Sequence, residues 1–171
     1  MSIIKESEAS MAMVEFERSY EAPVEDLWHL WTTKDGFESW WGPEGFRVEV
    51  HSLDLRVGGE LSYDMIADGA EQIAAMKAMG MPLSHPTRGT FVEVVPVRRL
   101  RIRSRIDFIP DLAPYDNHMT VDLIPDGARV RMVIVLERHP TDEWTQRAGA
   151  GLSSQLTKVP AALARQAAAR P

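Results

Sequence analysis

Apolar and polar residues alternate along several segments of the chain, and this period of two is typical of half-buried β-strands. The first alternating segment, residues 14–20, precedes a helical stretch, and the others fill the middle of the chain. Turn-forming pairs such as Gly58-Gly59 and Asp126-Gly127 separate them. The pattern therefore predicts about seven strands, at residues 14–20, 46–51, 61–65, 90–95, 100–108, 117–124 and 130–136.

Two short helices are predicted between the first and second strands. After Pro23, which suits a first helical position, apolar residues recur at the spacing of one helical face. A second helix would have Asp35 as its capping residue and end before Gly42-Pro43. Its aromatic residues would be Phe37, Trp40 and Trp41, and we expect the tryptophans to fill the core and fix the turn.

Residues 68–87 interrupt the run of strands with a helical pattern. Asp68 and Glu71 have the spacing of a capping box, and Gly80 with Pro82 would end the helix after about ten residues. A helix this short is not stable alone in water, so it should dock its apolar face on the domain. The residues of that face are Ile73, Met76 and Met79.

A long C-terminal helix is predicted over residues 142–168, with Thr141 as its N-cap. Pro160 should kink this helix, because proline cannot donate a helical backbone hydrogen bond. Gly149 and Gly151 each cost about 1 kcal/mol relative to alanine. Either the helix packs very closely on the sheet there, or the small residues leave room for a ligand. The apolar face consists of Trp144, Ala148, Leu152, Leu156, Val159 and Leu163.

Together these elements predict an α+β domain, in which helices lie on one face of an antiparallel sheet. We expect residues 13–168 to form a single domain and residues 1–12 to be a flexible arm. The arm carries charged residues and no long apolar run, so it does not have the pattern of a signal peptide.

Composition narrows the class of protein. Of the 171 residues, 44% are hydrophobic and 26% are charged, which is enough to build a core. The formal net charge of −6 disfavours nucleic acid as a partner. No apolar stretch is long enough to span a bilayer, and the absence of cysteine excludes disulfides and thiolate chemistry. We expect a cytoplasmic protein without a cofactor, and whether it forms a homodimer is left open.

Charged and titratable residues are expected mainly on the solvent face of the sheet. Arg101, Arg103 and Arg105 alternate with apolar residues, and Asp122 on a neighbouring strand offers cross-strand pairing. No recognised metal-binding spacing is present, so no metal site is expected. None of the five histidines belongs to such a spacing; they are His29, His51, His85, His118 and His139.

Several segments together are characteristic of one known family. They are Glu21-Ala22-Pro23, the segment WWGPEGF at residues 40–46, the double glycine at residues 58–59, and residues 91–96 followed by Arg99-Leu100. With the order of elements, they resemble the START-like superfamily, also called SRPBCC or birch-pollen-allergen-like. Within it, the chain is similar to the branch named after the C-terminal domain of the heat-shock-protein-ninety ATPase activator.

The resemblance implies a helix-grip fold, which is a curved antiparallel sheet of about seven strands around a long C-terminal helix. Two short N-terminal helices and the inserted helix would complete it, and the insertion would form a lid beside the opening of a cavity. Members of the superfamily bind apolar molecules between the helix and the sheet. The ligand-binding residues would then be Tyr63, Met65, Met76, Met79, Phe91, Tyr115, Met119, Trp144, Ala148 and Leu152.

Three functions are compatible with these observations. The first is binding of a small apolar or amphipathic ligand, which the sequence does not name. The second is a cyclase- or hydrolase-like enzyme, although no motif assigns a catalytic residue. The third is a chaperone-associated regulatory protein. For the enzyme, Glu93 should share a face with Phe91, where burial would raise its pKa and suit it to act as a base. The other polar candidates are Tyr63, Tyr115 and Asp107, the last on the arginine face.

Overall fold

The structure, a computed structural model, describes residues 13–170, so the expected arm at residues 1–12 lies outside the described residues. Seven strands in this range form an antiparallel sheet, as the alternating pattern predicts. They are β1 (Met13–Tyr20), β2 (Phe46–Leu53), β3 (Glu60–Ala67), β4 (Ser84–Val95), β5 (Arg99–Ile106), β6 (Tyr115–Asp126) and β7 (Arg129–Glu137). Their order in the sheet is β1-β7-β6-β5-β4-β3-β2, so β1 and β2 are the edges.

Helices cover one face of this sheet, which we call the inner face. On that face, Leu100 and Ile134 of the sheet share one buried core with Leu156 near the chain's end. The arrangement is the α+β helix-grip fold that the sequence predicts. The helices are α1 (Val24–Thr32), α2 (Lys34–Glu38), α3 (Ala70–Ala78), α4 (Asp142–Leu156) and α5 (Val159–Ala168).

The outer face of the sheet carries the expected ladder of charged residues. Arg101, Arg103 and Arg105 are exposed, while Leu100 and Ile102, which alternate with them, are buried. Asp122 forms a cross-strand ion pair, but its partner is Arg99 and not one of the three predicted arginines; Arg99 Nε lies 2.7 Å from Asp122 Oδ1. A second contact, from Arg99 to the other carboxylate oxygen of Asp122 at 3.1 Å, makes the pair bidentate.

A register shift in β4 places Glu93 differently from the sequence-based expectation. The shift falls between Phe91, which pairs with Ile102, and Glu93, which pairs with Arg101. Such a bulge reverses the alternation of side chains beyond it. Phe91 is therefore buried on the inner face, whereas Glu93 lies on the outer face, 3.7 Å from a guanidinium nitrogen of Arg99. The prediction that Glu93 is buried on the inner face, where it could act as a base, is therefore wrong.

The second N-terminal helix is shorter than the aromatic pattern suggests. Its N-cap is Thr33, whose hydroxyl accepts a hydrogen bond from the Gly36 backbone N–H, and not Asp35. The helix ends at Glu38, so Trp40 and Trp41 lie in the turn that follows it. A hydroxyl at the N-cap satisfies a free N–H of the first turn, and this local bond determines where α2 begins.

The inserted helix is present, but its predicted start is wrong, and of its predicted docking face only Ile73 and Met76 are partly buried. Gly69 is the N-cap of α3 and no side chain caps it, so Asp68 and Glu71 form no capping box. No residue of α3 is buried, and Met79 is 63% exposed. β4 begins at Ser84, opposite Ile66 of β3, so the insertion between the strands ends at residue 83 and not at residue 87.

The C-terminal helix is interrupted earlier than Pro160. Thr141 is the N-cap of α4, as predicted, and its hydroxyl accepts from the Trp144 N–H at 3.3 Å. α4 ends at Leu156 and α5 begins at Val159, so Pro160 lies in the first turn of a new helix. Proline is tolerated in a first turn, where its missing N–H would have no helical partner. The chain therefore breaks before Pro160, where the sequence-based expectation was a kink at that residue.

Candidate ligand site

An aromatic cluster joins the N-terminal helices to the inner face of the sheet. Trp40 is buried, and its indole N–H donates to the Leu30 carbonyl at 3.0 Å. Trp41 stacks on Phe37 with ring centroids 5.0 Å apart. Its indole N–H donates to the Tyr63 hydroxyl at 2.9 Å. The tryptophans therefore fill the core and fix the turn, as the sequence predicts.

The segment WWGPEGF is tied by polar contacts to the end of α4 and to Lys158 just beyond it. The Gly42 N–H donates to the buried side-chain oxygen of Gln155 at 2.7 Å. The Glu44 N–H donates to the hydroxyl of Ser154 at 2.9 Å. Just beyond α4, the Lys158 ammonium donates to the Phe46 carbonyl at 3.0 Å, and partial burial lowers the pKa of Lys158. These contacts, which we call the latch, hold the end of α4 against the sheet.

A small cavity of about 20 Å³ lies between the inner face of the sheet and the aromatic cluster. This volume is enough for about one water molecule. The prediction of a ligand-sized cavity beneath the C-terminal helix is therefore wrong for this conformation, because buried side chains such as Phe91 and Leu152 fill that space. The cavity lining includes Phe37, Trp41, Tyr63, Thr87, Ser104 and Met119.

Tyr63 provides the titratable group of this lining. Burial raises the pKa of its phenol to about 12, against the opposing effect of the Trp41 hydrogen bond. Tyr63 therefore stays protonated at neutral pH and is not suited to act as a base there. Its role in the cavity is that of a neutral hydrogen-bonding group.

β4 and β6 begin at the same end of the sheet, which we call the open end. Aromatic side chains cover the inner face there. Phe108, in the loop after β5, meets His85 edge to face with ring centroids 4.8 Å apart. Phe108 also contacts Trp144 of α4 at 5.8 Å. On the solvent side, the Arg147 guanidinium lies 5.1 Å from the centre of the Trp144 ring. The open end is thus covered by side chains from three separate segments, namely β4, the loop after β5 and α4.

A second polar group at the start of β6 is the pair of Tyr115 and His139. The Tyr115 hydroxyl is hydrogen bonded to His139 Nδ1. Burial lowers the pKa of His139 and raises that of Tyr115, so both are uncharged at neutral pH. The His139 N–H donates to Thr145 at 2.9 Å, which ties the pair to the first turn of α4. Of the four polar candidates for catalysis, Tyr115 is the one placed beside a potential proton acceptor.

The predicted ligand-binding residues are not brought together as one surface. Tyr63 and Met119 line the cavity, whereas Phe91 and Leu152 are core residues. The sequence-based reasoning missed Thr87, Gly89 and Ser104, which also line it. Ser104 could have been found, because it falls among the apolar positions of its strand. Met65, Met76, Tyr115, Trp144 and Ala148 are partly buried, and Met79 is exposed.

The mid-helix glycines do not mark a close approach of helix and sheet. A Cβ at Gly149 would lie 3.5 Å from the ring of Phe16, an ordinary contact, and one at Gly151 would meet no atom within 4 Å. Gly149 lines an open groove between α4 and β1, together with Val14 and Phe16. Of the two explanations for these glycines, close packing is excluded by this geometry.

Polar side chains also line a groove of about 390 Å³ on the outer face of the sheet. In this groove, His51 Nε2 lies 3.0 Å from Asp64, and Asp107 lies on the arginine face as predicted. No group of three or more histidine, aspartate or glutamate side chains within residues 13–170 is arranged to hold a metal ion. Metal independence stays a prediction.

The helix-grip fold with a small interior cavity defines the class of protein, a START-like or SRPBCC domain. The sequence model of the family described as activator of Hsp90 ATPase homolog 1-like protein matches residues 21–164. The chain therefore belongs to that family. No helix among the described residues is long and apolar enough to cross a membrane.

Solved structures with the same fold come from several bacteria. A protein from Chromobacterium violaceum is 26% identical, with a TM-score of 0.73 over 89% of this chain and 96% of that one. The AHSA1 protein from Silicibacter pomeroyi is 22% identical, with a TM-score of 0.71 over 91% and 99% of the two chains. A protein from Nitrosomonas europaea is 20% identical, with a TM-score of 0.71 over 92% and 97%. The comparison with curated proteins gives no match.

Proposed function

We propose that this domain binds a small apolar or amphipathic molecule at the interior cavity of its helix-grip fold. The observation that carries the proposal is the lining of this cavity, in which aromatic and aliphatic side chains and one methionine surround a few small polar groups. Ligand sites in proteins commonly combine an apolar wall with a few well-placed polar groups. Here Phe37 and Trp41 form the wall, and Thr87 and Ser104 supply the polar groups.

Binding requires the cavity to open, because ligand sites typically measure roughly 300–1,000 Å³ and this one holds about 20 Å³. Side chains that adapt in shape are present on the inner face, notably Met65 and Met119, both partly buried. Phe108 at the open end is 42% exposed, so little packing has to be lost when it moves. A ligand would then select an open conformation that is a minor state of the free protein.

The proposal is tested with an uncharged apolar dye, N-phenyl-1-naphthylamine, whose fluorescence rises in apolar surroundings. Wild-type protein should bind it saturably. Ser104→Leu adds an apolar side chain to the cavity and should weaken binding about tenfold, because it occupies the space that the dye needs. The matched control, Ser52→Leu, makes the same change on the outer face, where Ser52 pairs with Ser62.

Two results would contradict the proposal. The first is the absence of saturable dye binding to the wild type. The second is equal binding by the two leucine variants, since that would place the dye outside the cavity. Circular dichroism and thermal unfolding of each variant confirm that it is folded when binding is measured.

Docking of another protein is a second candidate function, favoured by the exposed methionines after α3. Met79 and Met81 are 63% and 49% exposed, and methionine-rich surfaces suit adaptable protein contacts. The test is the ATPase rate of a purified Hsp90-type chaperone with added wild-type protein or the double variant Met79→Ser/Met81→Ser. Stimulation that the double variant loses would support docking, with Val57→Ser, at a residue 62% exposed, as the control. Absence of stimulation by the wild type would exclude this candidate.

A further inference from the structure

One buried side-chain nitrogen on the inner face of the sheet has no hydrogen-bond partner within the described part of the chain. His85 lies in β4, and its Nε2 atom is shielded from solvent without any hydrogen bond to another atom of residues 13–170. A buried polar atom without a partner is costly, and such atoms are rare in folded proteins. The nitrogen therefore marks a place where a hydrogen-bonding group from outside the chain would be favoured.

His85 lies next to the interior cavity along its own strand. Side chains two residues apart in a strand point to the same face, and Thr87 and Gly89 of β4 both line the cavity. His85 is the next inner-face residue toward the open end, about 7 Å from Thr87 along the strand. Across the sheet it pairs with Met65, one of the partly buried methionines. A ligand that extends from the cavity toward the open end would reach His85.

The same histidine is covered by the side chain that closes the open end. The Phe108 ring meets the His85 ring edge to face, and Phe108 also contacts the Trp144 ring. Phe108 belongs to the loop between β5 and β6 and is 42% exposed, so it can swing away without disturbing the sheet. Its displacement would both uncover the nitrogen and connect the cavity to solvent.

We propose that His85 is the polar anchor of the interior site and selects ligands that carry a hydroxyl group on an apolar body. This inference rests on the proposed function. A neutral imidazole nitrogen is a donor or an acceptor depending on its tautomer, and a hydroxyl group can pair with either form. A carboxylate would bring a charge into the interior, and the cation at the open end, Arg147, is already paired with Glu143 at 2.8 Å.

The test compares two probes of nearly equal shape, naphthalene and 2-naphthol, at neutral pH. The measured quantity is the ratio of their dissociation constants, because a ratio cancels effects of a variant on the site as a whole. His85→Phe keeps an aromatic ring against Phe108 and removes the nitrogen. It should reduce the preference for naphthol about fivefold, which is the value of one typical hydrogen bond. His85→Gln retains donor and acceptor groups and should restore the preference.

The control is His29→Phe, the same substitution at an exposed position of α1, which should leave the ratio unchanged. If His85→Phe does not fold, His85→Leu replaces it as the variant without a nitrogen. An unchanged ratio in the variant without the nitrogen, or a glutamine variant that behaves like it, would overturn the role of His85. Failure of both probes to bind wild-type protein would instead overturn the proposed function.

Discussion

Two buried tyrosines differ in whether their hydroxyl groups are hydrogen bonded. The Tyr63 hydroxyl accepts a hydrogen bond from the Trp41 indole, whereas the Tyr20 hydroxyl is shielded from solvent and has no partner among the described residues. Removing a bonded hydroxyl leaves its partner unsatisfied, whereas removing an unpaired one relieves a cost. The same substitution should therefore have opposite consequences at these two positions.

Tyr63→Phe should lower the free energy of unfolding by about 1–2 kcal/mol, because the Trp41 N–H loses its acceptor. Tyr20→Phe should leave the stability unchanged or raise it by up to about 1 kcal/mol, because it removes a buried group without a partner. Urea unfolding of both variants at pH 7 measures the difference. Equal destabilisation by the two substitutions would show that the Tyr20 hydroxyl has a partner in solution.

Tyr63 also predicts a dependence of stability on alkaline pH. Burial raises the pKa of Tyr63 to about 12, whereas an unfolded tyrosine titrates near pH 10. Its stabilising contribution is therefore complete below pH 10 and is lost as the pH rises toward 12. The gap in unfolding free energy between wild type and Tyr63→Phe should shrink by about 1 kcal/mol between pH 8 and pH 11. A constant gap would mean that Tyr63 titrates normally.

The sequence revealed part of the site at the scale of single residues. Tyr63 and Met119 were predicted and line the cavity, because strand alternation places them on the inner face. Glu93 was misplaced, because a bulge is a local change of register that alternation alone cannot show. His85 was missed because β4 was expected to start several residues later, after Pro86. Proline cannot donate a hydrogen bond to a neighbouring strand, so its presence argues against a strand at that position.

At the scale of elements, the latch explains why the WWGPEGF segment has its particular residues. Gly42 has a φ of 97°, a backbone conformation that favours glycine. In this conformation its N–H reaches Gln155 of α4, and the two tryptophans just before it are fixed in the aromatic cluster. One short segment thus connects the N-terminal helices, the edge of the sheet and the C-terminal helices.

Gln155→Ala should lower the free energy of unfolding by about 2 kcal/mol, because it leaves the buried Gly42 N–H without an acceptor. The matched control is Gln146→Ala, the same substitution at an exposed position of the same helix. It should change the stability by less than about 0.5 kcal/mol. Chemical denaturation measures both values. Similar effects of the two substitutions would mean that water replaces the Gln155 side chain in the latch.

The elements were easier to predict from the sequence than their ends. The long alternating runs of β5, β6 and β7 are visible because one face is buried along each whole strand. The ends depend on single contacts, such as the Thr33 hydroxyl that starts α2. The break before Pro160 is of the same kind, since proline permits either a kink or a new first turn. Only the tertiary contacts decide between these alternatives.

The inserted segment should be dispensable for folding. Residues 68–82 can be replaced by Asn-Gly, because the Ala67 N–H already donates to the Leu83 carbonyl at 2.8 Å, as in a hairpin. The melting temperature should change by only a few degrees, since α3 buries no residue. If the segment is a lid, the variant should bind N-phenyl-1-naphthylamine more weakly and release it faster. Unfolding of the variant would make the segment part of the core, and unchanged binding would exclude the lid.

At the scale of the whole molecule, α4 is held at its two ends and loosely between them. The latch holds its C-terminal end, and Thr145 ties its first turn to His139 at 2.9 Å. No residue of the stretch 146–151 is buried, and an open groove separates this stretch from β1. Segments with few buried contacts open at low free-energy cost. The middle of α4 is therefore the part of the C-terminal helices that can move when the interior cavity opens.

Gly151→Ala tests whether α4 moves in this way. The added Cβ would meet no atom within 4 Å, and alanine favours a helix by about 1 kcal/mol over glycine. The free energy of unfolding should therefore rise by up to about 1 kcal/mol, measured by urea unfolding. A stiffer α4 makes opening more costly, so the association rate of N-phenyl-1-naphthylamine in stopped-flow mixing should fall. Gly127→Ala is the control, because its site is equally open but its φ of 62° disfavours alanine, so it should destabilise. A more stable Gly151→Ala protein with unchanged association would mean that the cavity opens without α4.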